Sequence, residues 1–186
     1  MEKIDPRSLL IKVAEILDRL KIPYMVTGGI AVLVWGRPRF TADIDIIIEM
    51  KETEASILEK ALLSISEYGY VSKEAMVEAL KSNGEFNFID GYTGVKVDFW
   101  TTKNKESNAG FKRKKAKTVL GQKIYFISPE DLILSKLRWY KISPSSRHLE
   151  DIESILKISG RKLDKKYLKR MAIKSGVLDE LNNLLK

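Results

Sequence analysis

Apolar residues recur at helical spacing through Leu9, Leu10, Val13, Ile16, Leu17 and Leu20, which predicts a helix opening at Asp5-Pro6 and closing before Ile22-Pro23. Tyr24-Met25-Val26 then reads as a short strand. Thr27-Gly28-Gly29 turns the chain into a brief apolar helix, Ile30 to Trp35, that stops at Gly36-Arg37-Pro38. Asp43 to about Glu49 is a strand. Thr53 to Tyr68 is an amphipathic helix with Ile57, Leu58, Ala61, Leu62 and Ile65 inward, and Ser72 caps a shorter helix over 73–81. Glu85 to Asp90 and Val95 to Trp100 form a hairpin around Gly91-Tyr92-Thr93-Gly94. A polar, basic loop is expected from Thr101 to Lys117, followed by a second hairpin around Gly121-Gln122. Ser128-Pro129 opens a helix to about Tyr140, Ser146 to Ile158 forms another, and Asp164 to Lys174 and Gly176 to Leu185 complete a helical end. This order indicates a mixed α/β fold with a mixed or mostly antiparallel sheet.

The 186 residues, 44% of them hydrophobic, suffice for one domain with a helical appendage. No run is long enough for a membrane helix and the first residues lack an export segment, so a cytoplasmic protein with no membrane partner is expected. With no cysteine, metal ligands reduce to carboxylates, His148 and backbone oxygens, which favours magnesium or manganese. The net charge of +8 is uneven. Residues 1–100 hold 12 Lys and Arg against 16 Asp and Glu, and residues 101–186 hold 21 against 9. A basic half beside an acidic site suits a polyanionic substrate, such as a nucleoside triphosphate or RNA; a solubilising lysine-rich surface would give the same count.

The strand beginning at Asp43 changes the picture most. Its two-residue period puts Asp43 and Asp45 on one face, about 7 Å apart. In the later strand Val95, Val97 and Phe99 share one face while Lys96, Asp98 and Trp100 share the other. Carboxylates gathered in this way repel one another unless cations intervene. Nucleotidyl transfer with two hard divalent metals is chemistry that uses such a set.

Gly28-Gly29, thirteen residues, Asp43-Ile44-Asp45, and Asp98 on a later strand together resemble the nucleotidyltransferase superfamily that includes DNA polymerase β. Arg39-Phe40-Thr41-Ala42-Asp43-Ile44-Asp45, the stretch from Ser128 to Leu137, and Arg147-His148-Leu149-Glu150-Asp151-Ile152 narrow the likeness. They resemble small prokaryotic nucleotidyltransferases related to the AbiEii abortive-infection toxins. The resemblance implies a nucleotidyltransferase-like α/β (α+β) fold, a twisted mixed sheet flanked by helices. It implies a catalytic core over 1–127 with a helical C-terminal region, 128–186, packed on it.

The resemblance also implies roles. Gly28 and Gly29 would turn backbone N–H groups toward the triphosphate. Asp43 and Asp45 would ligate both of two Mg²⁺ ions, with Mn²⁺ as a substitute, and Asp98 would bind the catalytic metal and orient or deprotonate the acceptor hydroxyl. Lys136 would neutralise the leaving pyrophosphate. Many members carry serine where this chain has Gly29, which leaves that work to the backbone, and relatives often carry aspartate where it has His148. Arg37 and Arg39 could fork onto phosphate oxygens, and Arg147 and Asp151, four apart on one helix, could pair with each other.

The expected reaction is attack of an acceptor hydroxyl on the α-phosphorus of a nucleoside triphosphate, releasing pyrophosphate. RNA or tRNA, a protein or a small molecule remain open as acceptors, as do a toxin-like role and an antitoxin partner. The alternative is a non-catalytic nucleotide- or RNA-binding sensor on the same fold. Three carboxylates kept in register argue against it.

Overall fold

The computed structural model describes residues 6–102 and 105–185, and side chains within 105–108 are left aside. Asp5, the expected start of the first helix, lies outside the described residues. The chain divides into two units, residues 1–30 with 40–126, and residues 31–39 with 127–186.

In the first unit the strands are β1 (Tyr24–Val26), β2 (Ile44–Ile48), β3 (Tyr70–Val71), β4 (Glu85–Ile89), β5 (Lys96–Thr101), β6 (Lys115–Val119) and β7 (Gln122–Phe126). Among the described residues they form one mixed sheet of order β3-β4-β5-β2-β1-β7-β6. β2 runs antiparallel to β1 and parallel to β5, while β1 runs parallel to β7. Alternation decides which face is which. Ile44, Ile46 and Ile48 are fully buried and sit opposite Val97, Phe99 and Thr101, so this face is core. Asp45 and Ile47 take the other face with Asp98 and Trp100.

The core face is covered by helices. α1 (Pro6–Arg19) buries Leu9, Leu10, Val13, Ala14, Ile16 and Leu17 and packs on β7 and on α3 (Ala55–Leu63). α4 (Lys73–Ser82) lies against β4 and β5, and its N-cap Ser72 accepts a hydrogen bond from the Ala75 N–H at 3.1 Å.

The second unit holds α6 (Pro129–Ile142), α7 (Ser146–Ser159), α8 (Lys165–Lys174) and α9 (Leu178–Leu184). Ser128 caps α6 through the Asp131 N–H at 3.2 Å, with Pro129 in the first turn, and Asp164 caps α8. Trp35, in the segment before Phe40, joins this unit through two hydrogen bonds from side chain to main chain. Trp35 Nε1 donates to the Ile127 carbonyl at 2.9 Å, and Ser159 Oγ donates to the Trp35 carbonyl at 2.6 Å.

Several expectations shift. The helix foreseen over 53–68 is a 3₁₀ turn at Glu52–Glu54 followed by the shorter α3. Leu58 and Leu62, one turn apart, form its stripe, and Ile57 lies off it at 54% exposed. The loop foreseen over 101–117 contains α5 (Lys105–Arg113) and the start of β6. β3, a two-residue strand, was not foreseen.

Candidate active site

The glycine turn and the aspartate strand meet at the end of β1. The Thr27 N–H donates to the Asp45 carbonyl at 2.8 Å, which ties the turn to β2 one residue before the glycines. Gly28 opens α2 (Gly28–Trp35) with φ of +60°, a region costly for any residue with a side chain. A Cβ there would also overlap the Asp45 carboxylate. Glycine is therefore required both by the backbone and by the carboxylate beside it.

Asp45 and Asp98 are register partners across the parallel β2–β5 pair, with side chains on the same face. Asn87 on β4 is the register partner of Asp98, which extends the polar row by one strand. Burial pushes the Asp45 carboxyl above the ordinary carboxylate range, and the charges of Asp98 and Asp43 push it further. Hydrogen bonds from the Trp100 side chain and the Gly29 backbone oppose that rise. Asp43 precedes β2 by one residue, two positions from Asp45.

Among the described residues, no three carboxylate or histidine side chains are already gathered closely enough to hold a metal ion. The donors nonetheless fit a hard divalent cation. Asp45 and Asp98 offer oxygen ligands side by side, and the repulsion that raises Asp45 is what a cation relieves. In this structure Lys96 brings positive charge to the row, its Nζ 2.9 Å from Asp98 Oδ2. Lys96 lies two residues from Asp98 on the same strand face, a position visible in the alternation but not singled out from the sequence.

Arg39 and Lys136 belong to the helical unit, where both engage Asp151 of α7. Arg39 donates from Nε to Oδ1 at 2.6 Å and from Nη2 to Oδ2 at 2.8 Å, and Lys136 Nζ sits 2.7 Å from Oδ2. Burial alone would raise the Asp151 carboxyl, but these two cations hold it below the ordinary range. Burial, then the charge of Lys136, lowers the pKa of His148, and its Nδ1 is buried without a hydrogen-bond partner. Within the basic run 112–115, Lys114 turns inward. It donates to the Tyr24 carbonyl at 3.3 Å and stands 4.1 Å from the Tyr125 ring centre.

The family profile of the aminoglycoside-2″-adenylyltransferases matches residues 9–131, more than half of the chain and the stretch holding every residue of the carboxylate row. The chain belongs to that family. It is a nucleotidyltransferase, and its mixed sheet flanked by helices is the fold of solved nucleotidyltransferases. ANT(2″)-Ia, solved in complex with adenylyl-2″-tobramycin, superposes with a TM-score of 0.65 at 16% identity, covering 91% of this chain and 96% of that one. The lincosamide antibiotic adenylyltransferase LnuA, solved with lincomycin, gives 0.57 at 16% identity over 83% and 98%. A putative nucleotidyltransferase from Thermotoga maritima gives 0.52 at 20% identity over 78% and 92%. No curated protein matches in sequence. The likeness to AbiEii-related enzymes rests on the sequence stretches alone. No helix among the described residues is long and apolar enough to cross a membrane.

Proposed function

We propose that this member of the family transfers AMP from ATP to a hydroxyl of a small-molecule acceptor, with Asp43, Asp45 and Asp98 as the catalytic carboxylates. The observation that carries this reading is the register pair Asp45–Asp98, set against the di-glycine turn that Asp45 itself abuts. Magnesium held by the three aspartates would neutralise charge on the triphosphate and on the attacking oxygen. The chain's own groups do the rest. The first turn of α2 presents backbone N–H groups to phosphate, and Asp98 orients the acceptor hydroxyl and takes its proton as the oxygen attacks the α-phosphorus. Pyrophosphate leaves. Arg39 and Lys136, the two cations that engage Asp151, are assigned to the nucleotide in this reading.

A second reading, an RNA acceptor, is supported by the charge of the helical unit, which holds 15 Lys and Arg against 8 Asp and Glu. A toxin-like role with an antitoxin partner adds nothing to the chemistry and rests on the sequence stretches at 39–45, 128–137 and 147–152.

The test incubates the protein and its Asp98→Ala variant with magnesium and α-labelled ATP, supplying small hydroxylated antibiotics and total tRNA separately. Label moving to a small molecule only with Asp98 intact is expected. Transfer that survives the variant would overturn the role of Asp98, and transfer to tRNA alone would favour the second reading.

A further inference from the structure

Position 29 is the second residue of α2, where a side chain would stand at the mouth of the helix. That space is taken. A Cβ built on Gly29 would overlap Thr41 Oγ1 and lie 2.8 Å from Thr41 Cβ and 3.3 Å from Thr41 Cγ2. Thr41, in the segment leading into β2, therefore delivers its hydroxyl to the place a side chain on residue 29 would occupy. The neighbouring position repeats the pattern, since the space beside Gly28 is filled by the Asp45 carboxylate. The two glycines are thus flanked by a hydroxyl and a metal-fitting carboxylate, both from the β2 side of the site.

The Thr41 hydroxyl is poorly satisfied where it stands. Its hydrogen bond goes to the Asp43 carbonyl at 3.4 Å, beyond the usual range for an O–H donor. Thr41 is half-buried, so its hydroxyl is neither lost in the core nor freely hydrated. A hydroxyl in that state, beside the first turn of a helix and one residue pair from the carboxylates, is a preorganised donor for an anion.

We propose that the Thr41 hydroxyl is a phosphate ligand of the bound nucleotide, donating its proton to a phosphate oxygen at the N-terminus of α2. This rests on the reading of Gly28-Gly29 as the triphosphate turn. It explains why residue 29 carries no side chain: a hydroxyl reaches the same place from the neighbouring segment, and two side chains do not fit there.

The experiment measures MgATP binding by titration calorimetry for the wild type, Thr41→Val and Thr41→Ser, with a thermal melt of each. Valine keeps the shape and removes the donor, and serine keeps the donor. The expected result is about a tenfold weaker dissociation constant for Thr41→Val, with Thr41→Ser within about twofold of wild type and melting temperatures unchanged. A side chain acting only as local packing would reverse this order, because serine and not valine changes the shape. Thr41→Val binding as tightly as wild type overturns the proposal while leaving the site reading intact. A wild type that binds no MgATP overturns both. Should Thr41→Val not fold, Thr41→Gly is compared with Gly29→Ser/Thr41→Gly, which moves the hydroxyl across. Tighter binding by the double variant supports the proposal, and equal binding refutes it.

Discussion

Replacing Asp151 with asparagine should cost this protein more than any other change of a single polar side chain in its helical unit. Asp151 is 2% exposed and accepts from Arg39, 25% exposed, and from Lys136, 9% exposed. Asp151 is the acceptor for both cations, so removing its charge leaves Arg39 and Lys136 without that counter-charge, one of them almost dry. Breaking a buried pair from one side costs about 3–5 kcal/mol, and water reaching Arg39 brings the expectation to the lower end, about 3 kcal/mol. For a chain of this length that is a fall in melting temperature of roughly 6–12 °C.

Lys136→Met is the discriminating partner. It leaves Asp151 neutralised by the Arg39 fork, so only about 1–2 kcal/mol should go. The sign with pH follows from the depressed carboxyl of Asp151. Its stabilisation is present above the ordinary carboxylate range and is lost as pH falls through the lowered value, so wild type and Asp151→Asn should converge in acid. Urea denaturation of the three proteins at neutral and acidic pH checks this. An Asp151→Asn loss below about 1 kcal/mol, or a larger loss for Lys136→Met, would refute the charge count.

Other expectations follow from the sheet unit. The raised carboxyl of Asp45 means that the folded state holds its proton more tightly than the unfolded chain, so its burial begins to cost stability as pH rises past the ordinary carboxylate value and costs it in full above the raised one. Asp45→Asn should therefore raise the melting temperature of the metal-free protein at neutral pH while lowering transfer by more than about a hundredfold, beyond the effect of losing a supporting group; a lower melting temperature would contradict it. Gly28→Ala should lose about 1–2 kcal/mol from its φ of +60° and displace Asp45, so both stability and activity should fall, measured by melting and by labelled-AMP transfer. Leu120, at φ of 47° in the two-residue turn between β6 and β7, is a poor occupant of a left-handed position. Leu120→Asn should gain about 0.5–1 kcal/mol in urea denaturation with transfer unchanged.

The carboxylate row was readable from the sequence because strand alternation is a local property. Asp45, and Asp98 with Lys96 and Trp100, fall on the face that period two assigns them. What alternation does not carry is the pairing of β2 with β5, which are separated by two helices and two strands and whose register makes Asp45 and Asp98 neighbours. The hidden elements have local causes. β6 reads Lys-Ala-Lys-Thr-Val and is largely exposed, so it lacks the buried alternation that marks a strand; its lysines instead guard a sheet edge. α5 reads Lys-Glu-Ser-Asn-Ala-Gly-Phe-Lys-Arg, with too few apolar residues to mark a helix by periodicity. The engagement of Arg39 with Asp151, 112 residues later, is tertiary, and helical spacing suggested Arg147 as the partner instead. Nothing in the sequence marks Thr41 beyond its place in the motif, because its closeness to Gly29 exists only once the turn and the β2 entry are folded together.

Charge adds what the family leaves open about the acceptor. The sheet unit holds 18 Lys and Arg against 17 Asp and Glu, close to neutral, while the helical unit carries +7 of the net +8. An aminoglycoside is a polycation, and a molecule with this balance repels one at long range, whereas uncharged or anionic acceptors pay no such penalty. The local acidity of the carboxylate row does not reverse this, because Lys96 offsets Asp98 and magnesium would offset the remainder. The charge balance predicts weaker long-range attraction of a polyamine than of a neutral or anionic hydroxyl compound. Ionic strength separates the cases: with a neutral acceptor, KM stays flat as salt rises, with a polyanion it climbs, and with a polycation it falls as the repulsion is screened.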